Sequence, residues 1–384
     1  MASAMHVLYA PVIHLTGGRT VKNEPQSTLL LQRAMLRANE LAIQGLGRTA
    51  PNPIVGAVIL NAQGTEIASG FHVGGDHAEV IAINNAKSHG YDDFSSATLV
   101  VTLEPCNHHG KTPPCVDTII KSGLRKVVFA VKDPNPIAQG GAQALKNAGI
   151  DVVGGVESEY VSYSNRAWLK KVHTGKPWIV TKIAATIDGK IAASDGTSKW
   201  ITSPESREDV AHLRNRVDAI VTTTQTVLSD NAELTPRFDG KNPSGRMKNP
   251  VRVVLGQREI PSNCAINNDR AETRFIKSHL FSEVLAIANA EGWNEVLIEA
   301  GATLNSALIS EGLIDEIVLY QAPSLLGKGK GFVEGLNVST LTDRIDFSYG
   351  ETARIGSDLR IQLLTRNSGY AEMFKAPQLE VGVR

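Results

Sequence analysis

Residues 77–86 read HAEVIAINNA, and residues 102–115 read TLEPCNHHGKTPPC. The first stretch spaces its apolar positions for a helix that stops at Gly90, with His77 and Glu79 in its opening turn. The second begins inside the buried strand TLVVTLEP and ends where CVDTIIKSG starts a short helix capped by Gly123. Two of the three cysteines of the chain, Cys106 and Cys115, fall in it. A zinc ion that activates water takes three protein donors, typically histidine and cysteine, and keeps its fourth position open. His77, Cys106 and Cys115 supply such a set. A thiolate at a helix N-terminus is favoured by the helix dipole, which lowers its pKa towards the ligating form. Glu79 is too near His77 to be a comfortable further ligand, but it is placed to carry a proton from water to a leaving amine.

Outward from these stretches, strands alternate with helices. TLLLQRAMLRANELAIQG (28–45) is amphipathic, NPIVGAVILN and GTEIASGFHVGG read as strands, KVVFAV as another, and GGAQALKNAG as a helix. That alternation predicts an α/β layered domain over 28–174 with a largely parallel sheet. From 155 to 176 the pattern loosens and reads as an interdomain connection that begins as a helix. A second α/β series follows over 175–367. It has the strand and Asp188-Gly189 turn of WIVTKIAATIDGKIAA, the helix PESREDVAHLRNRV with Pro204 in its first turn, and the segments AIVTTT, VRVVLG, EVLIEAG, ATLNSALISEG and EIVLYQAP. Residues 1–27 read as a loose leader and 368–384 as a loose tail.

Composition narrows the function classes. At 384 residues the chain suits two or three domains, and 39 basic residues balance 39 acidic ones. A neutral balance offers no bulk attraction for polyanions, and the densest basic clusters, LKKVHTGK and LGKGKG, are short. Nucleic-acid and membrane partners are therefore not expected. No apolar run approaches the ~18 residues that span a bilayer, and the first residues lack a basic start for a signal peptide. Three cysteines make no disulfide framework, which fits a reducing cytoplasm.

The zinc base deaminases carry H-x-E followed by P-C-x-x-C, with the glutamate as acid/base. His77-Ala78-Glu79 and Pro105-Cys106 match, but eight residues separate the cysteines here, so NHHGKTPP forms an insertion between the ligands. Its Lys111 and histidines are candidates to meet a substrate phosphate. His108 and His109 are also alternative donors, replacing a cysteine or completing a four-ligand structural site in which Glu79 would have no role.

GRTAPNPIVGAVI, HAEVIA, TLEPCNHHGKTPPC and DPNPIAQGGAQALKNAGI resemble the deaminase half of the bifunctional riboflavin-biosynthesis deaminase/reductase family. The resemblance runs from about 28 to 365 and implies a cytidine-deaminase-like three-layer domain followed by a dihydrofolate-reductase-like one. It implies a phosphoribosyl pyrimidine substrate, 2,5-diamino-6-ribosylamino-4(3H)-pyrimidinone 5′-phosphate, deaminated by water. Asn52 and His72 would line the base or ribose site, although on local grounds Asn52 reads as a turn residue between two prolines.

The residues of the second half say less by themselves. No G-x-G-x-x-G follows a strand, and EAGATL reads as a plain strand-to-helix turn, with backbone N–H groups holding a phosphate as the alternative. KIAATIDGKIAASDGTSKWIT, LRNRVDAIVTTTQTVLSDNAELTPR and EAGATLNSALISEGLIDEIVLYQAPSLLG resemble the reductase half of the family. The resemblance implies NADPH as hydride donor and C1′ of the ring-opened ribosylamine as acceptor. It places Ala184, Trp200, Thr226, Asp230 and the Gly301-Ala302-Thr303 turn on the cofactor. It places Ser198, Arg214, Leu234, Arg237 and Glu299 on the substrate, with the arginines on its phosphate, and implies a homo-oligomer formed through this half. SDNA stands where the family usually has a second aspartate and a proline.

Overall fold

The computed structural model of the protein describes residues 26–108, 113–237 and 249–366. The chain divides into two compact units after His173. The first unit runs α1 (Gln26–Ile43), β1 (Gly56–Leu60), β2 (Glu66–Phe71), α2 (Ala78–Ser88), β3 (Thr98–Leu103), α3 (Cys115–Ser122), β4 (Lys126–Val131), α4 (Gly141–Asn147), β5 (Asp151–Gly154), α5 (Ser158–Ser164) and α6 (Arg166–Thr174). Its sheet has the order β2-β1-β3-β4-β5, with β1 antiparallel to both neighbours and β3, β4 and β5 parallel.

Side chains alternate along a strand, so a run such as GAVIL, buried throughout, needs cover on both faces. Ala57 and Ile59 pack with Leu99 and Val101 against α2, α3 and α4. Val58 and Leu60 pack with Val100 and Val128 against α1 and α5. Truncating the fully buried Ile59 to alanine would cost about 2–5 kcal/mol. The sheet and α1 meet closely at Gly56, where a Cβ would stand 2.0 Å from the Ala38 carbonyl oxygen of α1.

The segment read as a connection is instead the pair α5 and α6, with Val161, Trp168 and Leu169 buried in the first unit. Its polar, Tyr- and Ser-rich composition hides a packed face. The last two positions of the expected leader, 26 and 27, are already the start of α1. The rest of the leader, and the tail, lie outside the described residues.

The second unit runs β6 (Trp178–Thr186), β7 (Lys190–Ala192), α7 (Pro204–Arg216), β8 (Ala219–Thr223), α8 (Thr224–Asp230), β9 (Val251–Leu255), β10 (Thr273–Ile276), α9 (Phe281–Ala290), β11 (Glu295–Ile298), α10 (Ala302–Ser310), β12 (Glu316–Ala322), β13 (Lys330–Gly331), β14 (Phe347–Ile355) and β15 (Asp358–Thr365). Eight strands form one sheet in the order β10-β9-β8-β11-β6-β12-β15-β14, and β7 pairs with β13 separately. The first six are mutually parallel, while β15 and β14 close the sheet as an antiparallel hairpin. Ile179, Ile183, Val221, Val253 and Ile298 turn towards α9 and α10. Lys182 and Ala184, at alternate positions of β6, therefore belong to the opposite face. Parallel strands end together, and ligands bind in open α/β sheets beyond those carboxyl ends.

Candidate active sites

Two helix starts and one strand end build the first site. His77 is the N-cap of α2, Cys115 the first residue of α3, and Cys106 follows β3. The His77 Nδ1 atom lies 3.1 Å from Cys115 Sγ and 3.5 Å from Cys106 Sγ. All three donor atoms lie within 4.8 Å of one another, the only such group among the described residues. Zinc–ligand bonds of about 2.3 Å to sulfur and about 2.0 Å to nitrogen put tetrahedral S and N donors roughly 3.5 Å apart, so the set fits a zinc ion. His108 is not part of the group, and His109 and Lys111 lie outside the described residues.

The electrostatics point the same way. The hydrogen bond from the Cys115 thiol lowers the Cys106 pKa well below the usual thiol range, against burial and with help from His77. The same bond, with burial, pushes Cys115 up. The pair thus favours one thiolate between the two sulfurs, and a second thiolate beside it is favoured by a positive charge such as a metal supplies. Glu79 is 3% exposed, and burial pushes its carboxyl above the usual range, against its own backbone N–H and His77. His72 is buried, its Nδ1 lies 3.1 Å from the Asp76 carbonyl oxygen, and its ring meets that of His77 edge-on at 5.5 Å. Burial lowers its pKa and so favours the neutral imidazole. Asn52 is exposed in the loop that follows the cis Ala50–Pro51 bond.

Glu104 was not singled out by the sequence. Its buried carboxylate accepts from Ala142 N–H at 2.8 Å, at the start of α4, and from Asp133 N–H at 3.2 Å. It thereby fixes the strand end that carries Cys106. The available signal was a carboxylate closing an apolar strand, because such a group must find donors when buried.

The second site lies along the carboxyl ends of β6, β8 and β11. Arg214 of α7 forks onto Glu299, Nε to Oε1 at 2.5 Å and Nη2 to Oε2 at 2.9 Å, and Nη1 donates to the Thr235 carbonyl at 3.1 Å. Burial pushes the Glu299 carboxyl up, but Arg214, Lys182 and Arg237 outweigh it and the net shift is downward. Lys182, not singled out by the sequence, has its ammonium lowered by burial, with Glu299 and Asp230 pulling the other way. A lone lysine in the apolar run WIVTKIAAT was the signal for it.

Ser198 Oγ donates to Asp230 Oδ1 at 3.1 Å, and Thr226 lies in the first turn of α8, whose cap is the Thr223 hydroxyl. The SDNA departure is accommodated: Asn231 adopts the left-handed conformation that ends α8, and its side chain accepts from Ala265 N–H at 2.8 Å. Trp200 and Leu234 also have positive φ, 60° and 57°, which is strained for such bulky residues. Trp200 is 71% exposed, and its ring carries the Arg207 guanidinium at 4.3 Å. Leu234 is buried and Arg237 exposed. Gly301 caps α10 with φ −77°, open to any residue, and nothing fills the space of its missing Cβ. Neither conformation nor packing within this chain calls for glycine there, which leaves room for a cofactor to approach the first N–H groups of α10.

Both halves match known families. Residues 30–131 match the cytidine and deoxycytidylate deaminase zinc-binding region, and residues 177–360 match the RibD C-terminal domain. The riboflavin biosynthesis protein RibD of Mycobacterium tuberculosis is 42% identical over 340 residues, covering 88% of this chain and 98% of that protein. RibD of Escherichia coli is 36% identical over 364 residues, covering 86% and 98%. A diaminohydroxyphosphoribosylaminopyrimidine deaminase/5-amino-6-(5-phosphoribosylamino)uracil reductase from Thermotoga maritima superposes with a TM-score of 0.81 at 34% identity, covering 88% of this chain and 99% of that one. With both domains matched and nearly the full length of these relatives covered, the chain belongs to the RibD family of bifunctional riboflavin-biosynthesis deaminase/reductases.

Proposed function

We propose that the first unit deaminates 2,5-diamino-6-ribosylamino-4(3H)-pyrimidinone 5′-phosphate and that the second reduces the ribosyl chain of the product to ribityl. The reading is carried by one observation: three donor atoms within 4.8 Å of one another, with a buried carboxyl two residues from one of them. His77, Cys106 and Cys115 hold the metal. When bound, zinc supplies the Lewis acidity that makes a water nucleophilic near neutral pH. Glu79, its pKa raised by burial, takes a proton from the attacking water and returns it to the departing amine. Oxygen replaces nitrogen on the ring carbon, and ammonia leaves. Asn52 and His72 orient the base and ribose, and Lys111 meets the phosphate.

In the second unit Ala184, Trp200, Thr226, Asp230 and the Gly301-Ala302-Thr303 turn hold NADPH, which when bound supplies hydride to C1′ of the ring-opened sugar. Ser198, Leu234 and Glu299 position that carbon, and Lys182 adds a proton donor on the same face of the sheet. Arg237 and the outer N–H groups of Arg214 hold the phosphate, while Arg214 fixes Glu299. Among the described residues no helix is long and apolar enough to cross a membrane. The free thiols of all three cysteines suit the cytoplasm. The reductase half associates with a second copy, and β14, the edge strand of its sheet, offers unpaired backbone groups for that contact.

The test is ammonia release and bound metal measured on the purified protein with this pyrimidine, against cytidine as comparator. One zinc per chain and turnover confined to the phosphoribosyl pyrimidine are expected. Turnover of cytidine alone would contradict the substrate reading.

A further inference from the structure

The junction of α5 and α6 is a single residue, Asn165, only 4% exposed. Its amide faces the backbone of Ile54, 111 positions earlier in the chain: Ile54 N–H donates to Oδ1 at 3.0 Å, and Nδ2 donates to the Ile54 carbonyl at 2.7 Å. One side chain thus satisfies both backbone groups of a buried residue, as a neighbouring strand would. No strand does so here, because β1 begins only at Gly56. Asn52 lies two residues before the clamped position. On the other side, Val55 accepts from His72 N–H at 2.9 Å, and His72 sets its ring against His77. The clamp is itself anchored, since Asn39 Nδ2 of α1 donates to Ser164 Oγ at 2.9 Å.

We propose that Asn165 is a positioning residue of the deaminase site, holding the 52–55 segment so that Asn52 and His72 meet the pyrimidine in register with the metal-binding residues. The segment 155–174 is then a working part of the deaminase half. The proposal rests on the reading of Asn52 and His72 as substrate contacts.

The full-length protein supplies its own control, because NADPH turnover and zinc content report on folding apart from the clamp. Asn165→Ala should raise the deaminase KM about tenfold, the scale of one net hydrogen bond, with a smaller change in kcat. Zinc per chain and NADPH turnover should stay at wild-type values. Added to Asn52→Ala, the same substitution should raise KM little further, because both act through one contact. If Asn165→Ala does not accumulate as folded protein, Asn165→Gln, which keeps the amide but displaces it by one methylene, carries the same comparison. A wild-type KM in the Asn165 variants while Asn52→Ala raises it overturns the proposal, as does a loss of zinc in step with the rise in KM. An unchanged KM in Asn52→Ala overturns instead the substrate reading beneath it.

Discussion

In the first unit, three donor atoms and a buried carboxyl are gathered from two helix starts and one strand end. In the second, the candidate residues are strung along the carboxyl ends of β6, β8 and β11 and the helices that follow them. The contrast follows from where each half keeps its chemistry. A metal demands particular donor elements at fixed distances, so the protein must spend its own histidine and cysteines there. A dinucleotide brings its own reactive atom and asks the protein for shape, backbone N–H groups and a few charges. The first demand leaves a signature in the sequence, and the second leaves a glycine with nothing to explain it.

The contrast breaks most sharply at Glu79. Glu79→Gln should lower deamination by about 10²–10⁴, the usual scale for losing a positioned acid/base, with zinc still bound and NADPH turnover unchanged. Retained ammonia release would remove Glu79 from the mechanism. In the other half, Arg214→Ala leaves the buried Glu299 carboxylate without its fork and should cost about 3–5 kcal/mol. Thermal unfolding of the reductase half should report that loss, while ammonia release at 25 °C persists.

A smaller effect is expected at exposed Arg237. Arg237→Ala should raise the reductase KM for the phosphorylated substrate roughly tenfold, and less for a dephosphorylated analogue. Equal effects on both would detach this arginine from the phosphate.

The smallest is a matter of pH. The Glu299 carboxyl titrates below its unfolded value of about 4.3, because Arg214, Lys182 and Arg237 outweigh burial. Its contribution to stability is complete above that pH and is lost as the pH falls through the lower folded value. Acid titration of unfolding should show that loss in the wild type and lack it in Glu299→Gln. Identical acid limbs would place the charge balance elsewhere.

What was legible follows the same division. His77, Cys106 and Cys115 were legible as a donor set from their residue types at the starts of predicted helices, with His108 and His109 left as alternatives, and the alternation of strands with helices announced a layered α/β fold. Residues 155–176 read as a connection that begins as a helix; the helical start holds, but the packing was hidden because Ser164, Asn165 and Arg166 are polar letters in buried places. Strands β5 and β10 are four residues each, too short to show a period. Helix α8 begins with threonines that read equally well as strand. Lys182 and Glu104 escaped notice because their roles depend on groups brought near them only by folding.

The most direct test of the account is a single chelated sample assayed twice. After metal removal, ammonia release from the pyrimidine should fall to background, NADPH oxidation with the deaminated product should continue at the untreated rate, and added zinc should restore the first. Ammonia release that survives chelation, or both activities vanishing together, would contradict it.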